Sequence, residues 1–203
     1  MKITEESLII LRDVSKKIND QTFHHHYHIL YDIVNSYPKD YKVKYLEIGC
    51  YAGGSACLVS QRPNTQVISI DVGRPIPPSI PKKNFNKLNI HNNNYRYIHG
   101  SSHEQSIKDE VLKEYDSIDV LFIDGDHSYV GVRNDFFMYS PLVKKGGYII
   151  FDDYNDNTYS PHVKTGVDSL DFEGYEVLGE FGSEFGARPS SLKSNEFVIR
   201  KYI

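Results

Sequence analysis

The chain has no tryptophan and only two methionines and two cysteines among 203 residues. Cys50 and Cys57 flank one glycine-rich turn. Thiols so placed read as small buried residues of a reducing compartment rather than as a disulfide framework. A cytoplasmic setting is therefore expected. No apolar run approaches the roughly 18 residues of a membrane span. The first residues, MKITEESLII, lack the basic region and apolar stretch of a secretory signal, so no leader is expected. A net charge of −4 gives no general attraction to nucleic acid or to an anionic membrane. Internal repeats and low-complexity tracts are also missing. What is present, 39% apolar and 25% charged residues, is ordinary for a globular domain with one sizeable α/β core.

Thr4 followed by Glu5 and Glu6 predicts a helix start, with acids at the positive end of the dipole. Leu8, Leu11, Val14 and Ile18 continue it at helical spacing. A second helix is expected from Phe23 to Val34, ending at Tyr37-Pro38. Strands and helices then alternate. Strands are predicted at Lys44–Gly49, Gln66–Asp71, Tyr95–His99, Asp119–Ile123 and Gly147–Phe151. Helices are predicted at Gly53–Gln61, from a Ser102/Gln105 capping box to Tyr115, at Ser128–Val143 and at His162–Leu170. Gly73–Pro81 holds four prolines and reads as a loop, while Asn84–Asn94 is ambiguous. Lys144-Lys145 reads as a charge pair closing a helix. Two last strands, Tyr175–Glu180 and Glu196–Lys201, have only a loop between them and should pair antiparallel. The expected class is α/β: a Rossmann-like, doubly wound, seven-stranded and mostly parallel sheet with a C-terminal antiparallel hairpin. Residues 1–40 would be an N-terminal helical extension and 41–203 the main domain.

Two stretches carry chemistry. The first, YLEIGCYAGGS from Tyr45 to Ser55, closes a strand and opens a helix. Glycines there let backbone amides approach a ligand. Asp71 ends the next strand, where an acid accepts hydrogen bonds from ribose hydroxyls. Together they point to a nucleotide-like cofactor. Tyr51 stands where a dinucleotide fingerprint has its second glycine, and the Glu47 carboxylate repels a pyrophosphate but suits a cationic ligand. S-adenosylmethionine is thereby favoured over NAD. The second stretch runs from Ile118 to Tyr154. Two apolar strands there end in Asp124-Gly125-Asp126-His127 and in Asp152-Asp153. Strand ends of a parallel sheet are where ligands bind. Carboxylates without soft ligands suit Mg²⁺, or Mn²⁺ or Ca²⁺, rather than Zn²⁺. Such an ion holds hydroxyls and lowers their pKa. His127 is the preferred base for the released proton, since its pKa lies near the working range. Asp126 competes where the hydroxyl is already acidified.

The E-x-G-x-x-x-G-G-S turn, Asp71 and the strand succession resemble the class I S-adenosylmethionine-dependent methyltransferases. FIDGDHSY and FDDY, within Asp124–Tyr154 and just before it, resemble a narrower branch. It holds the sugar O-methyltransferases of macrolide and aminocoumarin pathways and cephalosporin-hydroxylase-like proteins. The resemblance is clearest from Tyr45 to Tyr154 and departs at Tyr51, where many class I members have glycine. It implies that Glu47, Gly49, Gly53 and Ser55 line the methionine and ribose part of the cofactor, and Tyr51, in the same turn, is expected to contact the cofactor too. Asp71 would hold the ribose, and Ser101 and Ser102 would lie beside the adenine. Asp124, next to the cofactor, would bind a divalent ion, most simply Mg²⁺, with Asp152 and Asp153. The implied function is methylation of a sugar hydroxyl of a glycan or glycosylated metabolite. A catechol-like O-methyltransferase and a non-catalytic cofactor- or glycan-binding module are the alternatives. A homodimer, and work with or fusion to glycosyltransferase domains, are compatible with it.

Other residues stay open. In FHHHYH, from Phe23 to His28, His24, His28 and Asp32 share a helix face. They read as a polar face, an acceptor-pocket wall or a second metal site. Tyr154, Asn155 and Tyr159 are candidates for the acceptor wall. His103 reads as a helix cap or an adenine contact, and Arg188 as a phosphate or sugar contact.

Overall fold

The computed structural model describes residues 4–18, 25–181 and 195–203. Helix α1 (Glu5–Lys17) starts at Thr4, whose side chain accepts from the Ser7 amide. A short 3₁₀ turn at His25–Tyr27 leads into α2 (His28–Asn35). Then follow β1 (Val43–Ile48), α3 (Gly54–Val59), β2 (Thr65–Asp71), α4 (Ser79–Leu88) and β3 (Tyr95–His99). They are succeeded by α5 (Gln105–Glu114), β4 (Ile118–Ile123), α6 (Tyr129–Tyr139), β5 (Val143–Phe151) and α7 (Val163–Asp168). Strands β6 (Tyr175–Phe181) and β7 (Glu196–Lys201) close the sheet.

The seven strands form one sheet in the order β3-β2-β1-β4-β5-β7-β6. The first five are parallel, and β7 runs antiparallel to both β5 and β6. This is the expected Rossmann-like sheet with its C-terminal hairpin. The central strands are buried on both faces, which is why β4 reads IDVLFI without alternation. Leu46, Ile48, Leu121 and Ile123 pack with Val132 and Phe136 of α6 and Val163 of α7. Tyr45, Val120, Phe122 and Ile150 pack on the other face with α1, α2 and α3, through Leu11, Leu30 and Leu58.

Three local readings change. Helix α4 begins at Ser79, inside the proline-rich stretch read as loop. Pro81 is tolerated in its first turn, where an amide has no intrahelical partner to lose. The Ser102 capping box does not form: the residue capping α5 is Glu104, without a side-chain bond, and Ser102 Oγ donates instead to Asp135 at 2.6 Å. Lys144 belongs to β5, not to a helix end, and pairs with the buried Asp119. Cys50 and Cys57 are buried free thiols. Among the described residues, no helix is long and apolar enough to cross a membrane.

Candidate active site

Register builds the site. Ile70 pairs with Ile48, Ile48 with Ile123, and Ile123 with Phe151. The residues just beyond that row, Asp71, Gly49, Asp124 and Asp152, therefore share the carboxyl edge of the parallel strands. Phe151 also pairs with Phe197 of the antiparallel β7, which brings the start of that strand, Glu196, to the same edge.

A cavity of about 470 Å³ opens at this edge, a size that takes a small-molecule ligand. Of the cofactor residues expected from sequence, Gly49, Tyr51, Asp71, Ser101, Ser102 and Asp124 line it. Asp71 organises the turn: Oδ2 accepts from the amides of Cys50 (2.8 Å) and Tyr51 (3.0 Å), and Oδ1 from Gly73 (2.6 Å). Tyr51 takes the positive φ of 45° that a glycine would take, with its ring partly exposed. Arg74 and His103 also line the cavity; the prolines after Arg74 masked it as plain loop. Glu47, Gly53 and Ser55 do not line it. Glu47 is fully buried and accepts from Ser55 Oγ at 2.6 Å and Ser69 Oγ at 2.5 Å. It braces the turn from beneath instead of facing a ligand. Gly53 caps α3 and packs on Pro81.

Beside the cavity lies an acid–histidine centre. Tyr27, from the 3₁₀ turn, places its hydroxyl 3.1 Å from both Asp124 Oδ2 and Asp152 Oδ2. One phenol proton cannot serve two carboxylates at once. His127 Nε2 is 3.1 Å from Asp124 Oδ1, and Nδ1 is 2.8 Å from Ser160 Oγ. Ser160 Oγ donates to Asp153 Oδ2 at 2.8 Å, so its oxygen is left to accept from the imidazole Nδ1–H. That assignment leaves Nε2, beside Asp124 Oδ1, as the nitrogen able to exchange a proton. Asp156 shapes the turn that presents Ser160, accepting from the amides of Thr158 (2.8 Å) and Tyr159 (2.9 Å). Asp126 lines the cavity but its Oδ1 accepts from the Ser128 amide at 3.0 Å, at the start of α6. It helps to cap that helix start, which His127 does not.

The electrostatics follow from crowding. Burial, then the neighbouring Asp152, push Asp124 well above the ordinary carboxylate range. Glu196 is pushed up likewise, by burial and then Asp152 and Asp124. Burial by itself lowers His127, but the Asp124 hydrogen bond and the field of Asp124, Asp153 and Asp152 outweigh it and raise it to about 9. Burial raises Glu47 to about 7 and Asp135 to about 6. All these groups bind a proton more tightly in the folded chain. Their contribution to stability is complete below the unfolded pKa values, about 4 for carboxyls and about 6.5 for histidine. It is lost as pH rises, through about 6 to 7 for Asp135 and Glu47 and through about 9 for His127. Chelator-treated protein is expected to lose at least about 5 °C of Tm between pH 5 and pH 9. Circular-dichroism melts in EDTA measure this, and a Tm that climbs across the window contradicts it.

The histidine stretch and the acceptor-wall residues resolve differently from expectation. His24 and Arg188 lie outside the described residues. His28 and Asp32 are buried, and Asp32 accepts from Thr4 Oγ1 (2.8 Å) and Ser7 Oγ (3.1 Å), tying α1 to α2. It is His26, two residues before His28, that reaches the acids, with Nε2 2.8 Å from Asp152 Oδ1. Tyr154 is core: it stacks on Phe197 and its hydroxyl donates to Asp168 at 2.5 Å. Asn155 Nδ2 donates to Glu180 at 2.5 Å, while Tyr159 is exposed. His26, Tyr27, Ser160 and Glu196 are the site residues that sequence reasoning missed. Two signals were present: the FHHHYH stretch holds His26 and Tyr27, though its helix face pointed to His24 and His28, and the predicted hairpin brings Glu196, at the start of its last strand, to the acidic edge.

Comparison with known proteins adds four findings. A family model described as a methyltransferase domain matches residues 46–154. Uncharacterized protein R132 of Acanthamoeba polyphaga mimivirus is 35% identical over 221 residues, covering 97% of this chain and 97% of that protein. The O-methyltransferase from Bacillus cereus in complex with SAH superposes with a TM-score of 0.62 at 17% identity, over 95% of this chain and 91% of that one. The MycE methyltransferase of the mycinamycin biosynthetic pathway, in complex with Mg, SAH and mycinamycin VI, gives 0.60 at 18% identity. That match covers 95% of this chain but 53% of MycE, so the chain spans about half of MycE's length. At these identities the structural likeness is one of fold.

Proposed function

The chain belongs to the methyltransferase-domain family and is an S-adenosylmethionine-dependent methyltransferase; from that premise we propose that it methylates a hydroxyl oxygen on a sugar, with a divalent cation at Asp124, Asp152 and Asp153. The observation that carries this is the crowding of buried carboxylates against the cofactor cavity. Asp124 belongs to both, as cavity wall and as partner of Tyr27 and His127. Two of the three acids suit a hard cation as they stand: Asp124 and Asp152 turn carboxylate oxygens to one phenol proton, while Asp153 Oδ2 accepts from Ser160 and would have to turn to join them. When bound, such an ion supplies Lewis acidity that lowers the pKa of a hydroxyl.

The chain's own residues supply the rest. Asp71 and the amides of the Gly49–Tyr51 turn shape the wall that takes the cofactor's ribose side. His127 takes the acceptor's proton at Nε2, while Ser160, itself anchored on Asp153, holds the ring by Nδ1. A cation held by Asp124 would offset the hydrogen bond and the field that raise His127 in the bare chain, and so would free its imidazole to act as a base. Vicinal hydroxyls, which sugars and catechols both offer, match a carboxylate-held hard ion; the sugar is preferred on the likeness of FIDGDHSY and FDDY to the sugar O-methyltransferases. MycE, crystallised with Mg and mycinamycin VI, shares the fold.

The test is transfer of labelled methyl from S-adenosylmethionine over a panel of mono- and oligosaccharides and catechols, with and without EDTA. Sugars should accept label, EDTA should abolish transfer, and Mg²⁺ should restore it. Asp124→Asn should mimic EDTA, costing at least about 10²-fold. Turnover indifferent to chelator would remove the metal from the reading. Label confined to catechols would move it to the small-molecule alternative.

A further inference from the structure

Methyl transfer makes no use of two buried groups, His26 before α2 and Glu196 at the start of β7. Both are fully buried. Their ligand atoms and an Asp152 oxygen lie within 4.8 Å of one another. His26 Nε2 is 2.8 Å from Asp152 Oδ1 and 3.7 Å from Glu196 Oε1. Among the described residues, none donates a hydrogen bond to either Glu196 oxygen. A buried carboxylate in that condition costs several kcal/mol unless a proton or a cation matches it.

We propose that His26, Asp152 and Glu196 form a second divalent-cation site, distinct from the aspartate site, for a first-row transition ion such as Zn²⁺ or Mn²⁺. The ligand chemistry separates the two sites. One imidazole nitrogen with two carboxylates is a borderline set that prefers Zn²⁺ or Mn²⁺, whereas an all-carboxylate set suits Mg²⁺. Asp152 is placed to serve both. Its Oδ2 faces Tyr27, on the side shared with Asp124, and its Oδ1 faces His26. An ion on the buried side would join the turn before α2, the end of β5 and the start of β7, three segments far apart in sequence.

The inference does not rest on methyl transfer, because metal alone is the probe. Chelator-stripped full-length chain is dialysed against Zn²⁺ and its metal content and affinity are measured. Wild type and Asp124→Asn should both retain an ion that His26→Gln and Glu196→Gln hold at least about 100-fold more weakly. Glu196→Gln keeps the side chain's volume, and its fold is checked by circular dichroism. X-ray absorption of zinc-loaded His127→Ala, which has an intact His26, should show an imidazole in the zinc shell. Equal affinity in Glu196→Gln and wild type overturns the proposal. So does an all-oxygen shell, or loss of all bound zinc in Asp124→Asn.

Discussion

His127→Ala is expected to lower methyl transfer by about 10²–10⁴-fold, the range for loss of a general base. Cofactor affinity should be nearly unchanged, and Asp126→Asn should leave turnover largely intact. The reason lies in where each group is spent. Asp126 accepts from the Ser128 amide at the head of α6, so its carboxylate is committed to the turn. His127 is held at Nδ1 by Ser160 and presents Nε2 beside Asp124 at the cavity wall. Single-turnover rates and cofactor titration on both variants measure the split. If Asp126→Asn loses activity while His127→Ala keeps it, the base has been misassigned. Ser160→Ala should fall between, since it loosens the ring without removing it.

Gly49→Ala is expected to cost more than about 4 kcal/mol, enough to prevent a domain of ordinary stability from folding. The cause is a collision. A Cβ at Gly49 would sit 1.9 Å from the Asp124 carbonyl oxygen and 2.6 Å from its carbon, at a φ of +82°. Both groups are backbone just past the ends of the adjacent strands β1 and β4, so neither can turn aside. Gly146 separates the two causes, because it has a φ of +83° but its nearest neighbour would be an Arg200 side-chain nitrogen at 3.9 Å. Gly146→Ala should cost only the left-handed backbone, about 1 kcal/mol. Soluble yield and denaturant melts of the two variants decide it. A well-folded Gly49→Ala protein would mean that β1 and β4 can part at the point where the site is built.

The same contact explains what was readable in advance. Gly49 and Asp124 were each visible as motif residues ending apolar strands, and Asp71 and Asp152 likewise. Parallel strands with in-register ends bring such residues to one edge, whatever lies between them. Glu47 was visible too, but its direction was not: a strand residue can face a ligand or the sheet's packed side. Two serines, one on β2 and one on α3, hold it inward. The Ser102 capping box failed for a similar reason, since its hydroxyl found the buried Asp135 on α6, across the chain.

The sequence by itself determined the sheet, its antiparallel hairpin, the glycine turn and the acids at the strand ends. These follow from apolar runs and turn residues, which act locally. Only the tertiary structure decided which histidine of the FHHHYH stretch meets the acids, that Tyr27 sits between Asp124 and Asp152, that Ser160 holds His127, and that Glu196 joins the centre. The His26–Asp152 contact alone spans 126 residues along the chain. Such contacts depend on how helices lie across the sheet and on the reversed direction of β7, and packing, not local propensity, sets both.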